Sequence, residues 1–152
     1  MNDPVLTFVC ELRANVGAPQ EIGSVRGGRR RIVPILGGRV DGPALRGTIL
    51  PGGGDWQLIQ ADGFSELDTR YTIRTDAGAV IYVQNAGIRH ASPEVMERLL
   101  AGDVVDPSLV YFRTVPRFET AAPEWQWLTR AVFVGAGARH PDVVVIRFFK
   151  VD

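Results

Sequence analysis

Asp55, Trp56, Asp68, Arg70 and Tyr71 are the residues of this chain whose types and spacing best suit chemistry. All five lie in Gly47–Thr75, GTILPGGGDWQLIQADGFSELDTRYTIRT, where the Pro51–Gly54 loop leads into Asp55 and Trp56. A second loop, Asp62 to Glu66, returns the chain into Leu67-Asp68-Thr69-Arg70-Tyr71. A carboxyl group buried with a raised pKa can move a proton, and a guanidinium can stabilise a developing enolate or oxyanion. On this reading Asp55 is the acid or base and Arg70 or Arg113 the charge stabiliser. Trp56, Asp68, Tyr71, Tyr82 and Asn85 would contact the ligand. The plainer reading stands beside it: Asp68 and Arg70 as a cross-strand ion pair, the aromatic residues as filling of a solid core.

Other chemistries find no support in the residue pattern. His90 and His140 lie far apart, with no His-x-His or Glu-x-x-His near either, so no metal site is expected. Cys10 is the single cysteine, which excludes an internal disulfide and a cysteine-based zinc site. It has no His beside it, and Gly-x-Ser-x-Gly is absent. Pro-Gly-Gly-Gly-Asp lacks the Gly-Lys-Ser/Thr ending and the following helix of a phosphate loop. No cofactor is expected.

These side chains must be positioned by strands. Leu6, Phe8, Cys10 and Leu12 alternate within Val5–Arg13, predicting a strand with one wet side. Arg26–Arg31 (RGGRRR) reads as a solvated turn, Arg31–Leu36 as a short strand stopped by a Gly37-Gly38 turn. Further strands are expected at Ala44–Leu50, Asp55–Ala61, Leu67–Thr75, Ala79–Asn85, Leu109–Val115, Trp125–Val134 and Asp142–Val151. Gly135 to Pro141 reads as a turn. Along Leu67–Thr75 the two-residue period puts Asp68, Arg70, Thr72 and Arg74 on one face and Leu67, Thr69, Tyr71 and Ile73 on the other. It likewise separates Val80, Tyr82 and Gln84 from Ile81, Val83 and Asn85, and Tyr111 and Arg113 from Phe112 and Thr114. The period alone leaves open which face is inside.

One helix is predicted over about 92–101, capped by Ser92, with Pro93 in its first position and Gly102 at its close. Nine or ten short strands and one short helix predict an all-β antiparallel barrel, with a sandwich as the alternative. At 152 residues the chain is read as one domain, 1–152. Its 17 basic and 17 acidic residues cancel, giving no global pull towards nucleic acid or an anionic membrane. The N-terminus shows neither a signal peptide nor a membrane-spanning segment, and a cytoplasmic location is expected.

The run Gly37-Gly38, Gly42-Pro43, Leu45, Gly47, Leu50-Pro51-Gly52-Gly53 and Asp55-Trp56-Gln57 resembles the signature of uncharacterised protein family 0311. That family is also catalogued as domain of unknown function 3237. The match continues through Asp62-Gly63, Leu67-Asp68, Arg70-Tyr71, Ile81-Tyr82-Val83, Asn85, Gly87 and Arg89. It resumes at Tyr111–Thr114, Pro116, Phe118–Thr120, Trp127–Arg130, Val134-Gly135, Gly137 and Arg139, covering nearly the whole chain. Gly54 and Thr129 depart from the pattern, where Ala and Asn are common. The resemblance implies a compact antiparallel barrel akin to the lipocalin-like group, often paired as a homodimer. It implies no activity.

Together these readings predict a cofactor-independent enzyme of lyase, isomerase or cyclase type. Its substrate would be a small, partly apolar carbonyl compound held in the barrel. The alternative is a non-catalytic barrel that binds a small molecule, and the third is a filled barrel with a structural role. An interior void below about 300 Å³ would count against the first two.

Overall fold

The computed structural model describes residues 1–152. Ten strands run through it: β1 (Leu6–Val16), β2 (Gln20–Val25), β3 (Gly28–Asp41), β4 (Gly47–Ile49), β5 (Gly53–Ile59), β6 (Phe64–Thr75), β7 (Val80–His90), β8 (Tyr111–Glu119), β9 (Val132–Arg139) and β10 (Val143–Val151). Every pairing is antiparallel, and the path β1-β10-β9-β8-β7-β6 continues through β4 and β5 to β3. β3 then pairs with β1, so the sheet closes on itself. The short strands β4 and β5 share one stave between β3 and β6, while β2 adds a hairpin arm to β3. Closure between β1 and β3 removes the two long free edges that an open sheet would expose, leaving only the outer edge of β2 unpaired.

The alternation along each strand decides what fills the barrel. On β8 Phe112, Thr114, Pro116 and Phe118 are buried, and Tyr111, Arg113, Val115 and Arg117 are exposed. One end is closed by aromatic packing, with Phe118 edge-on to Phe133 and Phe148 at centroid distances of 5.1 and 5.8 Å. Trp127 extends this cluster, 6.0 Å from Phe133. A side chain of this kind, fully buried, contributes about 2–3 kcal/mol of transfer free energy.

The single α-helix, α1, spans Pro93–Leu100. The Ser92 hydroxyl accepts from the Val95 amide, and Pro93 occupies the first turn, where its missing N–H costs nothing. Met96 and Leu99 are buried against Ile59, Ala91 and Val105. The Ser65 hydroxyl, inside the barrel, donates to Met96 Sδ over 3.9 Å. Gly102, at φ 87°, follows the helix as expected.

Four sequence expectations change. A bulge between Phe8 and Cys10 turns both Val9 and Cys10 into the core and leaves Leu6 and Phe8 exposed, so the first strand does not alternate throughout. Gly37-Gly38 is not a turn: β3 runs through both glycines while its partner changes from β5 to β4. A Cβ on Gly38 would sit 2.1 Å from the Arg13 carbonyl oxygen of β1, so the glycine permits barrel closure. Trp125 lies in a 3-10 segment, Pro123–Thr129, and the strand after it begins only at Val132. Gly135 and Gly137 are strand residues of β9, and a Cβ on them would meet Thr114 Oγ1 at 2.1 Å and the Phe112 ring at 2.7 Å. Their missing side chains are what let Phe112 and Thr114 reach the interior.

Candidate active site

Asp55 is the centre of a polar cluster inside the barrel. Its Oδ1 accepts from the Thr69 hydroxyl at 2.9 Å and its Oδ2 from Gln57 Nε2 at 2.7 Å. β5 brings Gln57 to the same face two residues on, and the β5–β6 register sets Asp55 opposite Thr69. Gln57 Oε1 in turn accepts from Arg31 Nε at 2.9 Å, across the β3–β5 pair. The amide has one consistent orientation, since a flip would turn NH₂ towards a guanidinium and oxygen towards a carboxylate. Arg31 is 1% exposed and also meets the Glu21 carboxylate at 3.7 Å.

The cluster forms one side of a cavity whose other side is apolar. Asp55, Gln57, Thr69, Tyr71, Arg89, Thr114 and Arg139 line the polar side. Leu12, Val33, Ile35, Phe112, Val144 and Ile146 are the main apolar contacts. The lining side chains nearly fill this cavity, leaving about 40 Å³ of free space. That free space lies below the about 300 Å³ expected of a preformed ligand chamber, which counts against the two ligand-binding readings as the side chains now stand, and a ligand enters only if they move.

Several cavity groups lack partners within the protein. Arg89, 1% exposed, has no acceptor for Nε or Nη2, and Arg139 has none for Nη1. The Tyr71 and Thr114 hydroxyls are also unpartnered, as is the whole amide of Asn85, which is buried but does not line the cavity. Burial draws the Arg89 pKa down to about 10, with the Asp55 charge opposing and Arg31 and Arg139 pushing further. At neutral pH Arg89 is still a cation. Burial and the neighbouring Arg31 also lower Arg139, against the pull of Asp55 and Asp142. Burial raises the Tyr71 phenol, with a smaller push from Cys10.

The strand register separates the residues expected to act together. Asp55 and Tyr71 face the cavity, and Asn85 is fully buried on the inner face of β7. Trp56, Asp68 and Arg70 lie on the outer face, because the two-residue period turns each away from its inward neighbour. Asp68 and Arg70 form an exposed ion pair at 3.1 Å, along β6 and not across two strands as expected. Arg113 is also outside, its guanidinium 5.2 Å from the Tyr111 ring and donating to the Phe112 carbonyl. Tyr82 lines an outer groove with Gln84, Phe118 and Leu128. The expectation of Arg70 or Arg113 beside Asp55 is thus not met: barrel wall lies between them.

Arg31, Arg89 and Arg139 take that place, together with Gln57, Thr69 and Thr114. Two signals could have found the arginines. Carrying the inward parity of Ile81, Val83 and Asn85 on through Gly87 reaches Arg89, and that of Phe133 through Gly135 and Gly137 reaches Arg139. Arg31 was hidden in the basic run RGGRRR, whose turn is confined to Arg26-Gly27, with β3 starting at Gly28.

The fold and cavity define a closed antiparallel β-barrel with a charged, largely apolar interior chamber. Residues 4–151 match the model for Protein of unknown function (DUF3237). The chain belongs to that family. A UPF0311 protein of Rhodopseudomonas palustris strain TIE-1 is 46% identical over 144 residues, spanning 95% of this chain and 94% of that protein. The crystal structure of a conserved protein of unknown function from R. palustris superposes with a TM-score of 0.94 at 43% identity, covering all of both chains. A beta-barrel-like protein from Acinetobacter baumannii AYE follows at 0.87 and 36%, over 100% of this chain and 98% of that one. A structure described as an enzyme from Penicillium herquei shares the fold at a TM-score of 0.74 and 19% identity, covering 100% and 97%.

Proposed function

We propose that the barrel interior is a reaction chamber in which Asp55 moves a proton on a small, partly apolar carbonyl compound without a cofactor. The observation that carries this reading is the fixed Asp55 carboxylate at the polar side of an apolar cavity. Thr69 and Gln57 hold its two oxygens, and lone pairs remain for a substrate C–H or O–H. Arg89 and Arg139, in place of Arg70 and Arg113, would supply the positive field that favours the enolate as it forms. Tyr71, buried and without a partner, would orient the carbonyl oxygen by donating to it.

Proton abstraction next to a carbonyl leaves a trace in D₂O. A panel of small aryl and alicyclic ketones, followed by ¹H NMR, should include compounds whose α-hydrogens exchange faster with the wild-type protein. Asp55→Asn should abolish that exchange and keep the fold. The amide can still accept from Gln57 through its oxygen and donate to the Thr69 hydroxyl through its nitrogen. Ketones that bind without accelerated exchange would instead support the alternative, a non-catalytic small-molecule-binding barrel.

A further inference from the structure

The interior carries more positive charge than its carboxylates balance. Arg31, Arg89 and Arg139 share the space around Asp55, and each lowers or is lowered by another of the set. Glu21 is shared: it accepts two hydrogen bonds from Arg29 at the surface and pairs with Arg31 at 3.7 Å, while Asp142 acts on Arg139 through its charge without a direct ion pair. Arg31 is served by Gln57, and Asp55 by Gln57 and Thr69. That leaves Nε and Nη2 of Arg89 and Nη1 of Arg139 as buried, unpartnered donors on side chains lining one cavity. An unpartnered buried guanidinium is costly, and its planar fork matches the two oxygens of a carboxylate.

The apolar side of the cavity restricts what can bring that charge. Val33, Ile35, Val144 and Ile146 offer no donors, and Phe112 lies with its ring 5.9 Å from the Arg89 guanidinium carbon. Inorganic phosphate would leave this wall uncovered. A slender organic acid would cover it and place its charged end at the arginines.

We propose that the chamber selects an organic carboxylate, bound with its charged group between Arg89 and Arg139 and its hydrocarbon part against Val33, Ile35, Val144 and Ile146. This rests on the reading of the cavity as a ligand chamber and not on Asp55 acting as a base. The substrate class is thereby narrowed to carbonyl compounds that carry an acid group. Each such ligand would also relieve the mutual repulsion of the three arginines, so binding and folding stability are coupled.

Straight-chain acids from butanoate to decanoate, and benzoate, test this against their neutral amides and against inorganic phosphate. Binding is measured by isothermal titration calorimetry and by the shift in melting temperature. At least one carboxylate should bind ten-fold or more tightly than its amide and raise the melting temperature saturably, while phosphate does neither. Arg139→Gln should erase most of that preference while the amide's affinity stays within two-fold. Arg89→Gln should do the same if it folds; the half-buried Arg139 keeps the test decisive if it does not. Equal binding of acid and amide would overturn carboxylate selection and leave the chamber reading intact. No binding by any member would overturn both, with ordered water then serving the guanidinium groups. Exchange in D₂O is scored separately, so a carboxylate that binds without exchange overturns only the role of Asp55.

Discussion

The β5–β6 ladder carries two sets of polar residues, one on each face of the same wall. Inside, Asp55 meets Thr69 and Gln57, with Tyr71 two residues further along β6. Outside, Asp68 meets Arg70 at 3.1 Å beside Trp56. The outer pair has the better ion-pair geometry on paper, yet both side chains are more than 40% exposed, where water and salt screen the attraction. The inner set has fewer direct ion contacts, but burial makes each polar group depend on its partners. What separates the two sets is a single step along the strand.

The largest break in this comparison should come from Asp55→Ala. It strips Gln57 and Thr69 of their acceptor and leaves the buried arginines without their nearby carboxylate. Urea unfolding should show a loss of about 3 kcal/mol.

The interior also holds Cys10, whose thiol burial pushes up to about 12 from 9.0. Over that range the folded state keeps a proton that the unfolded chain releases, so stability falls as pH rises. The slope is about 1.4 kcal/mol per pH unit. Arg89 pulls the other way, because it gives up its proton more readily folded than unfolded. Arg89 is common to wild type and Cys10→Ala, so the difference between their alkaline unfolding slopes isolates the thiol. An equal slope in both would contradict the assignment.

A smaller effect, of opposite sign, is expected at Tyr71. Its hydroxyl is buried without a partner, so Tyr71→Phe should stabilise the empty protein by about 1 kcal/mol and weaken ligand binding. Gain in stability together with loss of binding would sharpen the contrast between the faces. On the outer face, Asp68→Ala and Arg70→Ala should leave the urea midpoint unchanged within error and leave exchange in D₂O untouched.

Much of the architecture was legible in the chain. The two-residue period of Leu67–Thr75 sorted Thr69 and Tyr71 from Asp68 and Arg70 correctly, and the structure keeps that sorting. Ser92, Pro93 and Gly102 marked the helix because capping is local chemistry. The glycine pairs misled for a physical reason. A residue without a side chain serves a turn or a close strand crossing equally well, and at Gly38, Gly135 and Gly137 the crossing partner is distant in sequence. The same limit hid Arg31 within a run of surface-like charges, although Arg31 is buried while Arg29 is exposed and Arg30 half-buried.

By itself the sequence determined the all-β class, the helix and the sorting of residues into two faces, since each follows from local period and composition, while the family was carried by its motifs. Only barrel closure decided which face is inside. Closure brings β3, β5, β7 and β9 around one space, so that Arg31, Asp55, Arg89 and Arg139 become neighbours. It also sends Arg70 and Arg113 to the solvent. Alternation along a strand is symmetric between its faces, and what breaks the symmetry is the curvature of a sheet that meets itself.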